Sequence, residues 1–223
     1  MPTIFITGAN RGIGLEAARQ FAASGWSVHA CCRNPGKADA LKAIKGVTVH
    51  ALDVGDFKAI DGLAAKLRGT PVDVLLNNAG MNARVELGTI DYERWAELFR
   101  VNTMAPLKLC EAFAEHIAAS GRKLIVNISS IMGSITHSNG KWYPYRSSKA
   151  ALNMVSKCLS GDWASRGITV ISVHPGWVRT DMGGPNASVS VEDSVKGIKK
   201  LIEGAGPAAN GRFYQYDGAE LPW

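Results

Sequence analysis

Several features are scarce in this sequence, and each scarcity removes a class of protein. Only four cysteines occur in 223 residues, Cys31, Cys32, Cys110 and Cys158. They form no CxxC pair and no zinc-like spacing with histidine, and they are too sparse for a disulfide framework. They read as reduced, mostly buried thiols, and no metal site is expected. No apolar run approaches the roughly 18 residues that a membrane span needs. The first residues, MPTIFITGANRGIG, lack a basic segment followed by a long apolar run, so a secretory signal is not expected and a cytoplasmic location is. Basic residues outnumber acidic ones by 25 to 19, but they are scattered along the chain, with no basic run longer than the pairs Arg122-Lys123 and Lys199-Lys200. A nucleic-acid partner is therefore not expected, and an anionic cofactor accounts for part of the excess. Internal repeats, linkers and low-complexity tracts are missing, and so is the GxGxxG spacing of dinucleotide-binding proteins in general.

What is present is alternation. Thr3 to Thr7 is a short apolar run with β-branched residues, suited to a strand buried on both faces. It runs into Gly8, Gly12 and Gly14, after which Ile13, Ala17, Ala18 and Phe21 recur at helical spacing. Strand, glycine turn and helix is the nucleotide-binding order: glycines let backbone amides approach a pyrophosphate, and the helix N-terminus offers unpaired N–H groups. Further strands are predicted at Ser27 to Cys32, Val47 to Leu52, Val72 to Leu76, Lys123 to Ile128, Thr169 to Val173 and Arg212 to Gln215. Helical patterns fill residues 37–44, 56–68, 91–119, 145–165 and 190–203. The expectation is one α/β domain over residues 1–223, a doubly wound Rossmann-type sheet of about seven mainly parallel strands with helices on both faces.

Polar residues fall where these strands end: Arg33, Asp53, Asn77 to Gly80, Ser129 and Ser130, and His174 to Gly176. In such a fold the strand ends share one edge, which is where a ligand binds. The stretch Asn127 to Lys149 adds chemistry to that edge. Tyr145 and Lys149 are four residues apart and share a helix face, so an ammonium stands beside a phenol whose ordinary pKa near 10 is too high for work at neutral pH. A neighbouring cation favours the phenolate, and a serine hydroxyl nearby can hold a carbonyl oxygen while the phenol protonates it. Ser129 and Ser130 face opposite ways along a strand, and alternation alone does not choose between them.

In order, Thr7-Gly-x3-Gly-x-Gly14, Asp53-Val54, Asn77-Asn-Ala-Gly80, Asn102, Ser130, Tyr145-x3-Lys149 and Pro175-Gly176 resemble the classical short-chain dehydrogenase/reductase family over essentially the whole chain. The segments YRSSKAALNM, HPGWVRTDMGG and GRFYQYDGAELPW are similar to the branch holding the sniffer-type carbonyl reductases and the C-factor-like proteins. The resemblance implies that Tyr145 is the acid/base, that Lys149 lowers its pKa and holds the nicotinamide ribose, that Ser130 bonds the reacting oxygen, and that Asn102 keeps a water linking Lys149 to solvent. It implies further that Gly8, Asn10, Arg11, Gly12, Ile13 and Gly14 form the pyrophosphate and ribose turn. Asp53 and Val54 would meet the adenine, Asn78, Ala79 and Gly80 its ribose, and Pro175, Gly176, Val178 and Thr180 the nicotinamide end.

Two positions depart from the usual pattern. Tyr143 lies 13 residues beyond Ser130, a common family separation, but only Tyr145, 15 beyond, has lysine four residues on, so the loop 131–144 carries about two extra residues. The second strand ends Cys31-Cys32-Arg33, without the carboxylate that an NAD-preferring site uses. Arg33, with Arg11 as a second cation, fits a 2′-phosphate, so the cofactor expected is NADP(H). The expected activity is NADPH-dependent reduction of ketones or aldehydes. A dinucleotide-binding signalling protein and an NAD-linked alcohol dehydrogenase are the alternatives. Met81, Met132, His137, Trp142, Tyr143, Trp177 and Met182 are candidates for an apolar substrate cleft. Apolar helix faces at Leu109, Phe113, Ile117, Met154, Val155 and Leu159 are compatible with a homodimer or homotetramer.

Overall fold

The computed structural model describes residues 1–223. Its strands are β1 (Thr3–Thr7), β2 (Ser27–Cys32), β3 (Val47–Ala51), β4 (Val74–Asn77), β5 (Leu124–Ile128), β6 (Thr169–His174) and β7 (Arg212–Gln215). They form one sheet in the order β3-β2-β1-β4-β5-β6-β7. Every neighbouring pair is parallel, the last strand included, so the sheet expected to be mainly parallel is wholly so. The helices are α1 (Gly12–Ala23), α2 (Asp39–Lys42), α3 (Phe57–Lys66), α4 (Tyr92–Phe99), α5 (Ala105–Ala112), α6 (Ala114–Ala118), α7 (Tyr143–Asp162) and α8 (Val191–Gly204).

Strand periodicity divides the core in two. Ile4 and Ile6 of β1 pack with Val28, Ala30, Val74 and Leu76 under Phe21 of α1 and Val195, Ile198 and Ile202 of α8. Phe5 points the other way, with Cys31, Leu75, Ile125 and Val170, against Ile60 of α3, Leu109 of α5 and Leu159 of α7. Successive side chains of a strand alternate faces, so a sheet covered on both sides demands apolar residues at every position. Helix starts are marked as chemistry dictates: Asp56, Asp91 and Ser190 accept backbone N–H bonds at the N-termini of α3, α4 and α8.

The expected helix over 91–119 is broken into α4, a wide π-turn at Arg100–Met104, α5 and α6. In the π-turn the Ala105 N–H bonds to the Arg100 carbonyl, one residue further back than in a regular helix. Pro106 follows, and having no N–H it cannot supply the donor that the Asn102 carbonyl would otherwise receive. The pattern at 37–44 resolves into a 3-10 turn at Pro35–Lys37 followed by α2. Helix α7 begins two residues before the expected Tyr145, with Pro144 in the first turn, where a missing N–H costs nothing.

Candidate active site

Strand order reverses between β1 and β4, and the chain opens a cleft of about 1330 Å³ beyond their C-terminal ends. That volume exceeds the ~300–1,000 Å³ of an ordinary small-molecule pocket, and so has room for a dinucleotide beside a substrate. The wall from β1 is the glycine turn. Gly8 has φ +65° and Gly12 φ +51°, a region that side chains avoid, and a Cβ on Gly14 would lie 2.3 Å from the Gly8 carbonyl. Arg11 caps α1 in extended conformation with no side-chain bond to the first turn, and that turn holds no acidic residue. The amides at the start of α1 are therefore left for an anion, as a pyrophosphate requires.

Gly8, Asn10, Arg11, Gly12, Ile13, Arg33, Asp53, Val54, Asn78, Ala79, Gly80, Tyr145, Lys149, Pro175 and Thr180 all line this one cleft. Gly14, Asn102, Ser130, Gly176 and Val178 are not among the lining residues, whereas Ser129 is. Two of the expected contacts are spent differently. The Asn78 side-chain amide donates to the carbonyls of Thr7 (2.9 Å) and Gly8 (3.1 Å), so it ties the glycine turn to β4 while the residue lines the cleft. Val178 is buried, and a Cβ on Gly183 would lie 2.0 Å from its carbonyl, so Val178 packs the turn after β6. The Thr7 hydroxyl, which motif spacing alone left without a role, accepts from the N–H groups of both Asn78 (3.1 Å) and Ala79 (3.0 Å).

The second wall brings Tyr145, Lys149 and Ser130 together. Tyr145 is 9% and Lys149 5% exposed, whereas Tyr143 is 40% exposed at the helix start. The Lys149 ammonium lies 6.0 Å from the Tyr145 ring centroid and donates to the Ile128 carbonyl at 2.8 Å. Burial drives it down to about 8. Burial also raises the Tyr145 phenol, with the Ser130 hydroxyl pulling the other way. The direction is opposite to the lowering expected from a neighbouring lysine, because desolvating a phenolate outweighs a cation that itself points at a carbonyl. Ser130 accepts the Met132 N–H at 3.2 Å, which leaves its one proton free to donate. Ser129 is turned inward, its hydroxyl 2.6 Å from Asn153 Oδ1.

Asn102 is fully buried. Its Oδ1 accepts from the Met81 N–H (2.8 Å) and its Nδ2 donates to the Met81 carbonyl (2.9 Å) and the Ser148 hydroxyl (3.0 Å). The side chain is committed to Met81 and Ser148, and Pro106 removes the N–H four residues on that the Asn102 carbonyl would meet in a regular helix. A Cβ on Gly80 would lie 3.4 Å from Asn102 Oδ1 and 3.7 Å from Lys149 Nζ, which puts the three residues at one spot. Helix α7 is seated on β5 by further polar contacts: Asn77 Nδ2 donates to Asn127 Oδ1, and Asn127 Nδ2 to the Ser156 hydroxyl, each at 2.8 Å. Arg11 pairs with Asp181 at 2.8 Å across the cleft, both side chains exposed, while Arg33 is exposed with no acidic partner.

The model of the family described as short chain dehydrogenase matches residues 2–190. The chain belongs to the short-chain dehydrogenase/reductase family and is an oxidoreductase of it, a family that binds a nicotinamide dinucleotide. Within the family it falls in the branch of the sniffer-type and C-factor-like proteins. It is 41% identical over 155 residues to the C-signal protein of Myxococcus xanthus, an alignment covering 69% of this chain and 93% of that one. Its fold matches the carbonyl reductase Sniffer of D. melanogaster with a TM-score of 0.93 and 33% identity, over 100% of both chains. The NADPH-bound carbonyl reductase from chicken fatty liver gives 0.92 and 32%, over 100% of this chain and 99% of that one. No helix is long and apolar enough to cross a membrane, and no three His, Cys, Asp or Glu residues are grouped to hold a metal ion.

Proposed function

We propose that this chain reduces ketones or aldehydes to alcohols with NADPH, with Tyr145 protonating the carbonyl oxygen. The observation that carries the reading is the burial of Tyr145 and Lys149 beside Ser130 at the cleft, with the phenol shifted upward. A phenol kept protonated at neutral pH is a donor, which suits reduction better than oxidation.

The bound nicotinamide supplies the hydride. Gly8, Asn10, Arg11, Gly12, Ile13 and Gly14 would hold the pyrophosphate through backbone amides. Asp53 and Val54 would hold the adenine, Ala79 and Gly80 its ribose, and Pro175, Gly176 and Thr180 the nicotinamide end. The Ser130 hydroxyl would hydrogen-bond the carbonyl oxygen and keep its own proton, and Tyr145 would transfer the one proton that the alcohol gains. Lys149 would hold the nicotinamide ribose hydroxyls and steady the phenolate left behind. Asn102 would help keep a water that links Lys149 to solvent.

Arg33 favours NADPH, since a guanidinium recognises a 2′-phosphate and Arg11 already has Asp181. Replacing Arg33 by Asp is expected to lower the NADPH-to-NADH efficiency ratio roughly tenfold or more, from one charge-assisted bond. An unchanged ratio removes the cofactor assignment. Only a short segment separates Thr180 from α8, which leaves the cleft open to bulky hydrophobic carbonyl compounds such as steroids and aromatic aldehydes. The decisive test is loss of NADPH absorbance with a panel of ketones, aldehydes and quinones, wild type against Tyr145→Phe. Binding of NADPH with no turnover of any of them would favour the second reading, a dinucleotide-binding signalling protein, which the likeness to C-signal supports.

A further inference from the structure

The residues after β7 return to the loop that follows Ser130. The Leu221 N–H donates to the Phe213 carbonyl (2.8 Å), and the Gln215 N–H to Ala219 (2.7 Å), so residues 216–221 fold back on the last strand. The Trp223 ring then stacks on Phe213, itself 1% exposed, with centroids 5.5 Å apart and planes at 19°. This fixes the Trp223 main-chain oxygen, which accepts from the Ser134 hydroxyl (3.1 Å), the Thr136 hydroxyl (3.2 Å) and the Thr136 N–H (3.4 Å).

Ser134 is 1% exposed and is the hub of this contact. A hydroxyl has one proton and two lone pairs, so with its proton on Trp223 it accepts from His137 Nδ1 at 3.1 Å. Ser134 follows Gly133, where a Cβ would lie 2.7 Å from the Lys149 carbonyl carbon, and Gly133 closes the turn that Ser130 caps. Four residues thus join Trp223 to Ser130 along the chain, with Lys149 packed against the middle.

We propose that residues 221–223 are a clasp on the loop 134–137, and that Trp223 and Ser134 are positioning residues setting the width of the substrate pocket. This loop lies within the stretch 131–144, which carries about two extra residues and is held at two points. Arg146, whose Nη1 lies 3.4 Å from the Met132 carbonyl, is the anchor on the α7 side, and Trp223 is the one on the β7 side. The kinetic part rests on the carbonyl reductase reading; the structural part does not.

The experiment compares wild type with Trp223→Ala, Ser134→Ala, the pair together, and Trp223→Phe, which keeps the stacking. Hydrogen exchange of the 131–142 peptide is measured alongside kcat and KM for compact 4-nitrobenzaldehyde and bulky 9,10-phenanthrenequinone, and NADPH affinity by fluorescence. In Trp223→Ala and Ser134→Ala, exchange at 134–137 should quicken roughly tenfold, because the bonds that protect those amides are lost. KM for the quinone should change about fivefold or more, with kcat for the aldehyde and NADPH affinity within about threefold. The double variant should be no worse than either single, since both remove one contact, and Trp223→Phe should restore wild-type values. Unchanged exchange, additive losses, or a fall in melting temperature with kinetics untouched would overturn the clasp. A wild type that turns over no carbonyl compound defeats the reductase reading instead, and exchange alone then decides: quickened in Ser134→Ala, the clasp stands; unchanged, it falls.

Discussion

Replacing Lys149 by methionine should make the protein more stable while abolishing its activity. The Lys149 side chain is almost wholly buried, and its pKa falls from the ordinary 10.5 to about 8. At about 1.4 kcal/mol per pKa unit, carrying that charge at pH 7 costs on the order of 3 kcal/mol. The unfolded chain holds the proton more tightly between pH 8 and 10.5, so stability rises with pH through that window and the cost is complete below it. Methionine has similar length and no charge, but it leaves the Ile128 carbonyl without its 2.8 Å donor, an offset of about 1–3 kcal/mol. The net expectation is a gain of up to about 2 kcal/mol at pH 7, or up to roughly 8 °C in melting temperature for a chain of this size. Calorimetry of Lys149→Met and wild type without added nucleotide, at pH 7 and pH 10, measures it. The gain should shrink at the higher pH. A variant less stable than wild type at pH 7, or a difference indifferent to pH, would show that the ammonium is not the burden that its burial implies.

Other perturbations probe the same framework. The pH profile of kcat/KM for reduction should be flat below neutrality and bend downward near pH 8 as Lys149 loses its proton; a rate still rising at pH 9 contradicts this. Gly133→Ala forces a methyl against the Lys149 backbone, and kcat should drop roughly tenfold with NADPH affinity little altered, because misplaced groups are costly to catalysis. An alanine variant with normal kcat would mean that the turn moves independently of Lys149. His50, which burial holds down to about 4 and whose Nε2 lies 2.9 Å from His29 Nδ1, must stay neutral in the fold, whereas the unfolded chain protonates near 6.5. Melting temperature should therefore fall as pH drops from 6.5 toward 4, and His50→Asn should flatten the curve; parallel curves would clear the imidazole pair.

The parts of the site that could be read from sequence are those whose chemistry is local. Glycines in a turn between strand and helix, and a tyrosine four residues before a lysine, state their geometry within a few residues. Asn78 was legible as a cleft residue but not as the tie for the glycine turn, because its partners Thr7 and Gly8 lie about 70 residues away. Arg11 could be read as a cation, but its partner Asp181 is 170 residues distant. The helix at 91–119 had the right period, yet only the fold reveals the π-turn ahead of Pro106 and the grip of the Asn102 side chain on Met81. The direction of the Tyr145 shift was missed for a related reason: spacing reports which groups are neighbours, and burial decides which influence prevails.

The polar seat of α7 on β5 works as a keyed joint. An oily contact between a helix and a sheet tolerates sliding, since one aliphatic side chain can replace another. Asn127 to Ser156, Ser129 to Asn153 and Lys149 to Ile128 do not allow it: a shift by one helical turn, about 5.4 Å, would orphan all three at once. The residues from Gly140 to Tyr143 lie outside that joint. A designer could rewrite them and expect Tyr145 and Lys149 to remain where they are.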